Sequence, residues 1–282
     1  MQVCTIDCTD ALPSEVEAYV QAGIAPATKR AYRADLDHFH AWGGSIPASV
    51  GLLAAYLAAH AETLSVATLV RRLAAISVAH EAQGLPNPVR SPLIRATMRG
   101  IRRERGSAQR QAKPLLRDDL FAVLAATGDG LKDIRDRALL LIGFAGGFRR
   151  AELVALDCAD VEHVRQGMII NIRRSKTDQE GIGRKLGIPL GRTKWCPCAA
   201  LDHWLAAAGI EAGTVFRRVN RHGRTSAEPL SAEAVSLVVC ERVAAAGFDP
   251  ARYSGHSLRA GFATSAVQPG VSALRIRADR AR

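Results

Sequence analysis

Between Gly167 and Leu190 the chain reads GMIINIRRSKTDQEGIGRKLGIPL, a segment that interrupts an otherwise helical pattern. Two β-rich runs, Met168 to Arg174 and Gly183 to Pro189, flank a polar turn, which predicts a hairpin. Elsewhere apolar residues recur at three- and four-residue steps, the period of an amphipathic helix. In TKRAYRADLDHFHAW the stripe is Tyr32, Leu36, Phe39 and Trp42, which reads as core, with Thr28 placed to cap its start. Further helices are predicted over ASVGLLAAYLAAHA, from Ser65 through Leu69, Leu73 and Ile76, and from Pro92 onward, with GGSIP and GLPNP as stops. The expected class is mainly α with a small β-hairpin. An aromatic content of 5% suits Ala/Leu-rich helices better than an all-β core.

A chain of 282 residues can bury the cores of two modest domains. The pattern predicts a helical domain over residues 1–105, a linker over 106–113 and a second domain over 114–282. In the second, PLLRDDLFAVLAATG and LKDIRDRALLLIGFAGGFRRAELVAL read as helices, the latter broken at Gly146 and Gly147. After the hairpin come CAALDHWLAAAG, then SAEAVSLVVCERVAAAG capped by Ser231, and a last helix beginning near His256.

The formal charge of +11 favours a polyanionic partner, because cationic side chains release counterions from phosphates. Arg99, Arg102, Arg103, Arg105, Arg110 and Lys113 crowd one stretch in which only Glu104 opposes them. Gly106, Ser107 and Gln109 give that stretch the composition of a flexible, solvated linker able to track a DNA backbone. Arg71 and Arg72 add charge beside the third helix. All eight are candidate DNA contacts. No apolar run reaches the roughly 18 residues of a membrane span, and the N-terminus lacks the pattern of a secretion signal. The six cysteines are therefore expected as reduced thiols in a cytoplasm. Cys196, Cys198 and His203 lie close in sequence, and Cys4 and Cys8 could be imagined to complete a zinc site. Cys-x-Cys is not a usual zinc spacing, however, and no metal or cofactor is expected.

Four elements of the second domain carry groups suited to one chemistry. Arg149 follows the glycine pair, with Glu152 one turn on. Lys176 stands where the first strand enters the hairpin turn, and His256 and Arg259 share a helix face. Arginine forks bind non-bridging phosphate oxygens and stabilise charge developing on phosphorus. A lysine or histidine can then protonate a leaving oxygen. Two arginines in this role make a metal unnecessary.

GGFRRAELVAL, RRSKTD and GHSLRAGFAT, in that order, resemble the tyrosine recombinases, or phage-type integrases. TKRAYRADLDHFHAW is similar to their helical core-binding domain and RQAKPLLRDDL to the entry of their catalytic domain. The resemblance implies a two-domain clamp on double-stranded DNA, a 3′-phosphotyrosine intermediate and a homotetramer on two DNA sites, in a bacterial cytoplasm. By motif, Arg149 and Arg259 would hold the scissile phosphate, His256 would assist proton transfer, Lys176 would be the general acid and Glu152 would support Arg149. The adjacent Arg150 rivals Arg149, but the family's Gly-x-Arg spacing after Gly147 favours Arg149. The family's nucleophilic tyrosine follows a further helix beyond the second arginine. This chain offers only Tyr19, Tyr32, Tyr56 and Tyr253, none in that place. The expectation is a catalytic domain incomplete at its C-terminus, inactive in strand transfer and weakened in assembly. The alternative is a non-catalytic DNA-binding protein derived from a recombinase.

Overall fold

Serine hydroxyls start three of the helices in the first half of the chain. The computed structural model describes residues 19, 23–106, 111–173 and 183–267. Its chain divides into two compact units, Met1–Arg110 and Gln111–Arg282. The described part of the first contains α1 (Pro26–Ala41), α2 (Val50–His60), α3 (Val66–Ala82) and α4 (Pro92–Arg105). Ser49, Ser65 and Ser91 accept from the backbone N–H groups of Leu52, Thr68 and Leu93, satisfying donors the first turn leaves open. Helix α1 starts differently from expectation. Pro26 opens it without a side-chain cap, and Thr28 falls inside the first turn.

Phe39, Leu53, Tyr56, Leu57, Leu69, Ile76 and Ile94 form the centre of this unit, with Leu36 and Trp42 packed against it. Tyr32 is half-buried and stands outside that cluster, a correction to its reading as core. The next inward position on α1 is instead a carboxylate, Asp35, which is 2% exposed. Arg71 forks onto it through Nε and Nη2 at 2.7 and 2.9 Å, and Arg72 Nε lies 3.6 Å away. Arg72 Nη1 donates to the Tyr56 hydroxyl and to His38 Nδ1, each at 2.8 Å. At 8% exposure Arg72 belongs to the interior, so a DNA contact is withdrawn from it. Arg71 keeps about half its side chain in solvent while its fork is spent on Asp35.

Ile94, Met98 and Ile101 turn one face of α4 inward, which leaves Arg99, Arg102, Arg103 and Arg105 exposed on the helix. The arginine run is therefore helical up to Gly106, whose φ of 71° ends it, rather than part of a flexible linker. Arg110 lies outside the described residues.

The second unit contains α5 (Arg117–Ala125), α6 (Leu131–Ala145), α7 (Arg150–Val154), β1 (Val161–Val164), β2 (Gly167–Ile172), β3 (Arg184–Pro189), α8 (Pro197–Ala207), β4 (Arg217–Val219), β5 (Thr225–Pro229), α9 (Ala232–Ala245) and α10 (His256–Val267). β1, β2 and β3 pair antiparallel in that order, with Ile170 opposite Leu186 and Ile172 opposite Arg184. The hairpin expected from sequence is β2–β3. The short strands β1, β4 and β5 were not anticipated, because VEHV and RRV offer no apolar alternation to read. Helix α6 runs through the core, buried from Ala138 to Gly143. Its Asp136, fully buried, accepts from Arg135 and from Arg242 of α9 at 2.6 to 2.9 Å. Breaking such a buried pair from one side costs about 3–5 kcal/mol. Among the described residues no helix is long and apolar enough to cross a membrane.

The polar core of the first unit makes its stability depend on pH. His38, Tyr56 and His60 pack edge to face, with His60 centred 4.8 Å from each of the other rings. Arg72 can only donate, so His38 Nδ1 must present a lone pair to it. Burial, then the Arg72 charge, lowers the His38 pKa below 6.5, with Asp35 acting weakly in the other direction. Burial, then His38 and Arg72, lowers that of His60. The unfolded chain therefore binds more protons than the folded one below pH 6.5. The histidine contribution is intact above that value, and it is lost as pH falls until the depressed folded pKa values are passed. Thermal unfolding of the chain followed from pH 7.5 down to about pH 5 should show this loss, and His60→Phe should flatten it. An equally steep profile in that variant would mean that His60 does not take part.

Candidate active site

The site grows from the corner between α6 and α7. Helix α6 stops at Ala145, and Gly147 turns the chain with φ of 55°. A Cβ on Gly147 would lie 2.7 Å from Phe262 Cδ1, so the missing side chain lets α10 pack against the corner. Two residues on, Arg149 is extended and forms the N-cap of α7. Its backbone N–H donates to Glu152 Oε2 at 2.9 Å and its Nη1 to Glu152 Oε1 at 2.6 Å. Glu152 is 5% exposed, whereas the Arg149 side chain keeps 29% of its surface. One buried carboxylate thus fixes both the main chain and the guanidinium of Arg149. Among the described residues no other acceptor takes the remaining guanidinium edge.

Helix α10 brings the second arginine to the same corner, where Arg259 Nη1 donates to the Gly147 carbonyl. The start of α10 is held by reciprocal serine bonds. Ser254 Oγ accepts from the His256 N–H at 3.2 Å, and Ser257 Oγ accepts from the Ser254 N–H at 3.0 Å. His256 is exposed in the first turn, one turn before Arg259. Gly261 allows the helix to approach closely, since a Cβ there would fall 1.8 Å from the Leu115 carbonyl oxygen. The structure therefore gathers Arg149, Glu152 and Arg259 around one turn and sets His256 on the helix that supplies Arg259. Lys176 lies outside the described residues.

Arg150 is committed elsewhere. Its Nη1 donates to Ser236 Oγ of α9 at 2.9 Å, and the same oxygen accepts from the Gly255 N–H at 3.2 Å. Ser236 thereby ties α7, α9 and the entry to α10 together. Lys113 is also engaged within its unit. Its N–H donates to the Arg252 carbonyl at 2.7 Å, and its ammonium lies 3.3 Å from Asp119 and 5.4 Å from the centre of the Tyr253 ring. The Tyr253 hydroxyl and then Asp119 push the lysine pKa up against the effect of burial. The thiols of Cys196 and Cys198 belong to the core. Cys196 Sγ accepts from the Gly191 N–H, and burial pushes the Cys198 pKa to about 11. Cys4 and Cys8 lie outside the described residues.

Three residues that position the site went unread in the sequence. Ser236 and Gly261 carry no signal of their own until α9 and Leu115 are in place beside them. Arg184 lies near Glu152, with Nη2 3.6 Å from Oε2. Its alternation with Leu186 and Ile188 along β3 was a usable sign that it faces inward.

The arrangement offers two ordered guanidinium groups and an exposed imidazole, with a carboxylate held out of solvent as support. Such a set suits a phosphate diester. Comparison with known proteins agrees. The model described as the Phage integrase family matches residues 113–277. The chain is 37% identical to the integrase/recombinase xerD homolog of Selenomonas ruminantium, over 96% of this chain and 82% of that protein. It is 30% identical to the recombinase cre of Escherichia phage P1, over 75% of this chain and 66% of that one. The structure of a lambda integrase tetramer bound to a Holliday junction aligns with a TM-score of 0.63 at 17% identity, over 93% of this chain and 73% of that one. That last likeness concerns the fold alone. The family match spans more than half of the chain and the Selenomonas relative nearly all of it, and on these grounds the chain belongs to the phage integrase family, the tyrosine recombinases.

Proposed function

We propose that the second unit grips one phosphate of a DNA backbone between Arg149 and Arg259, in the manner of a site-specific recombinase. The observation that carries this reading is the shared corner: Arg259 bonds the carbonyl of Gly147, and Arg149 leaves the chain two residues later. Two guanidinium groups ordered in advance stabilise the charge of a five-coordinate phosphorus without reorganising when it forms. His256 stands one turn from Arg259 to bind or protonate an oxygen of the same phosphate. Lys176 is proposed as general acid for the 5′-oxygen, with Glu152 holding Arg149. On the first unit, Arg99, Arg102 and Arg103 of α4 are the proposed backbone contacts, with Arg105, Arg71 and Arg110 as further candidates. Arg105 already donates one bond to the Glu62 carbonyl. The lambda integrase relative is seen as a tetramer on a Holliday junction, which supports assembly on paired DNA sites here as well.

The nucleophile is the finer point. Tyr56 is fully buried beside Arg72, and Tyr253 is 6% exposed in the core of the second unit beneath Lys113. Tyr19 and Tyr32 belong to the first unit. Within the unit that holds the two arginines the sequence has one tyrosine, Tyr253, and it is spent in the core. We therefore propose that the 282-residue chain holds a phosphodiester without cutting it. A recombinase-derived protein that occupies DNA sites is the second reading, favoured by the same placement of its tyrosines.

Two measurements bear on this. Duplex binding should weaken steeply with salt, and replacing Arg99, Arg102 and Arg103 together by Ala should flatten the log–log slope by up to about 0.9 per lost phosphate contact. An unchanged slope would remove α4 from the interface. With a duplex nicked beside the scissile phosphate, no protein–DNA adduct should survive denaturation, because ordered arginines cannot replace a missing nucleophile. An adduct formed by this chain would overturn that reading, and peptide mapping would identify the attacking residue.

A further inference from the structure

Strand β3 brings one more arginine to the site, and its surroundings are unusual for a surface cation. Arg184 pairs across the sheet with Ile172 and faces the same side as the buried Ile188. Its Nε and Nη2 are shielded from solvent and have no hydrogen-bond partner among the described residues. Buried donors without acceptors are unfavourable, so something else must keep the group there. Among the described residues it pairs with one opposite charge, Glu152, with Oε2 3.6 Å from Nη2. At 3.6 Å this separation is longer than a hydrogen bond, so Arg184 acts on that carboxylate as a charge and not as a donor. The strand itself is well placed to hold it. The adjacent end of β2 is pinned where Arg173 Nε donates to Asp160 Oδ1 at 2.6 Å, and Asp160 is 4% exposed.

A side chain as buried as Glu152 sits stably as a carboxylate only where cations compensate its lost hydration. The Arg149 guanidinium does so through one hydrogen bond, beside that of its backbone N–H, and Arg184 by proximity. We propose that Arg184 is a positioning residue for Arg149: by sharing Glu152 it fixes the carboxylate that orients the Arg149 guanidinium toward a DNA phosphate. The inference rests on the reading of Arg149 as a phosphate ligand and adds that β3 sets its orientation. Arg184 itself makes no contact with DNA.

The test is a double-mutant cycle on the intact chain, read by affinity for a random-sequence duplex at fixed salt, with thermal unfolding recorded for every variant. Arg149→Ala should weaken binding about tenfold, as expected for a lost charge-assisted bond. Arg184→Gln alone should weaken it roughly threefold or more, and adding it to Arg149→Ala should weaken it no further. Arg184→Lys, which keeps a charge beside Glu152, should bind within about twofold of the unmodified chain and also serves if the Gln variant fails to fold. If Arg184→Gln binds normally, if its effect simply adds to that of Arg149→Ala, or if Arg184→Lys falls as far as Gln, the positioning role is overturned. A normal affinity for Arg149→Ala would instead overturn the phosphate reading on which it rests.

Discussion

The corner at Gly146 and Gly147 governs what the second unit can do. An ordinary side chain at Gly147 would meet the Phe262 ring and would have to adopt a left-handed backbone, and a Cβ at Gly146 would overlap Phe148. Widening this corner by one methyl group would push α10 outward and carry Arg259 with it. The carbonyl that Arg259 grips and the backbone that launches Arg149 are parts of one short turn. The distance between the two arginines is therefore set by covalent geometry on one side and one hydrogen bond on the other. Ser236 and Gly261 extend the same logic outward, one bonding the entry to α10 and the other admitting that helix against Leu115.

The first unit is organised around a different constraint, a carboxylate placed inside a helical core. Asp35 is compatible with that position because Arg71 and Arg72 both reach it, and Arg72 is held there by its charge on Asp35 and by Nη1, which donates to Tyr56 and His38. Such a network adds little net stability compared with well-packed apolar residues, yet leaving any one member unpaired is unfavourable. It selects one packing of α1, α2 and α3 over alternatives that would strand a charge.

Much of this was legible beforehand. The helices came from apolar period and the hairpin from its two β-rich runs, while motif order singled out Arg149, Glu152 and Arg259, which share one turn. Sequence could not sort the arginines by destination. Arg71 and Arg72 are neighbours in one helix, but a turn of 100° per residue sends one to solvent and the other to Tyr56 and His38. The reading of Tyr32 as core fails for the same reason, and the inward Asp35 carries no signal of its own. Period identifies the inward face, but only the partners on α3 explain why a carboxylate occupies it while an aromatic residue is left at its edge. Arg149 was separable from Arg150 by motif, and the structure adds the physical difference, Glu152 for one and Ser236 for the other.

That the arginine run of α4 is helical has a consequence for how the chain meets a polyanion. Arg102, Arg103 and Arg105 fill the last turn, where the helix macrodipole is negative, so these charges help to keep helical the segment that presents them. A tether of the same composition would have to freeze its backbone on contact, at roughly 1–2 kcal/mol for each residue fixed. A helix has met that entropic cost during folding. Its guanidinium groups are carried at a rise of about 1.5 Å per residue before any DNA arrives. On the proposed reading of α4 as a backbone contact, binding orders side chains alone, and a phosphate track is measured against a ruler of fixed spacing.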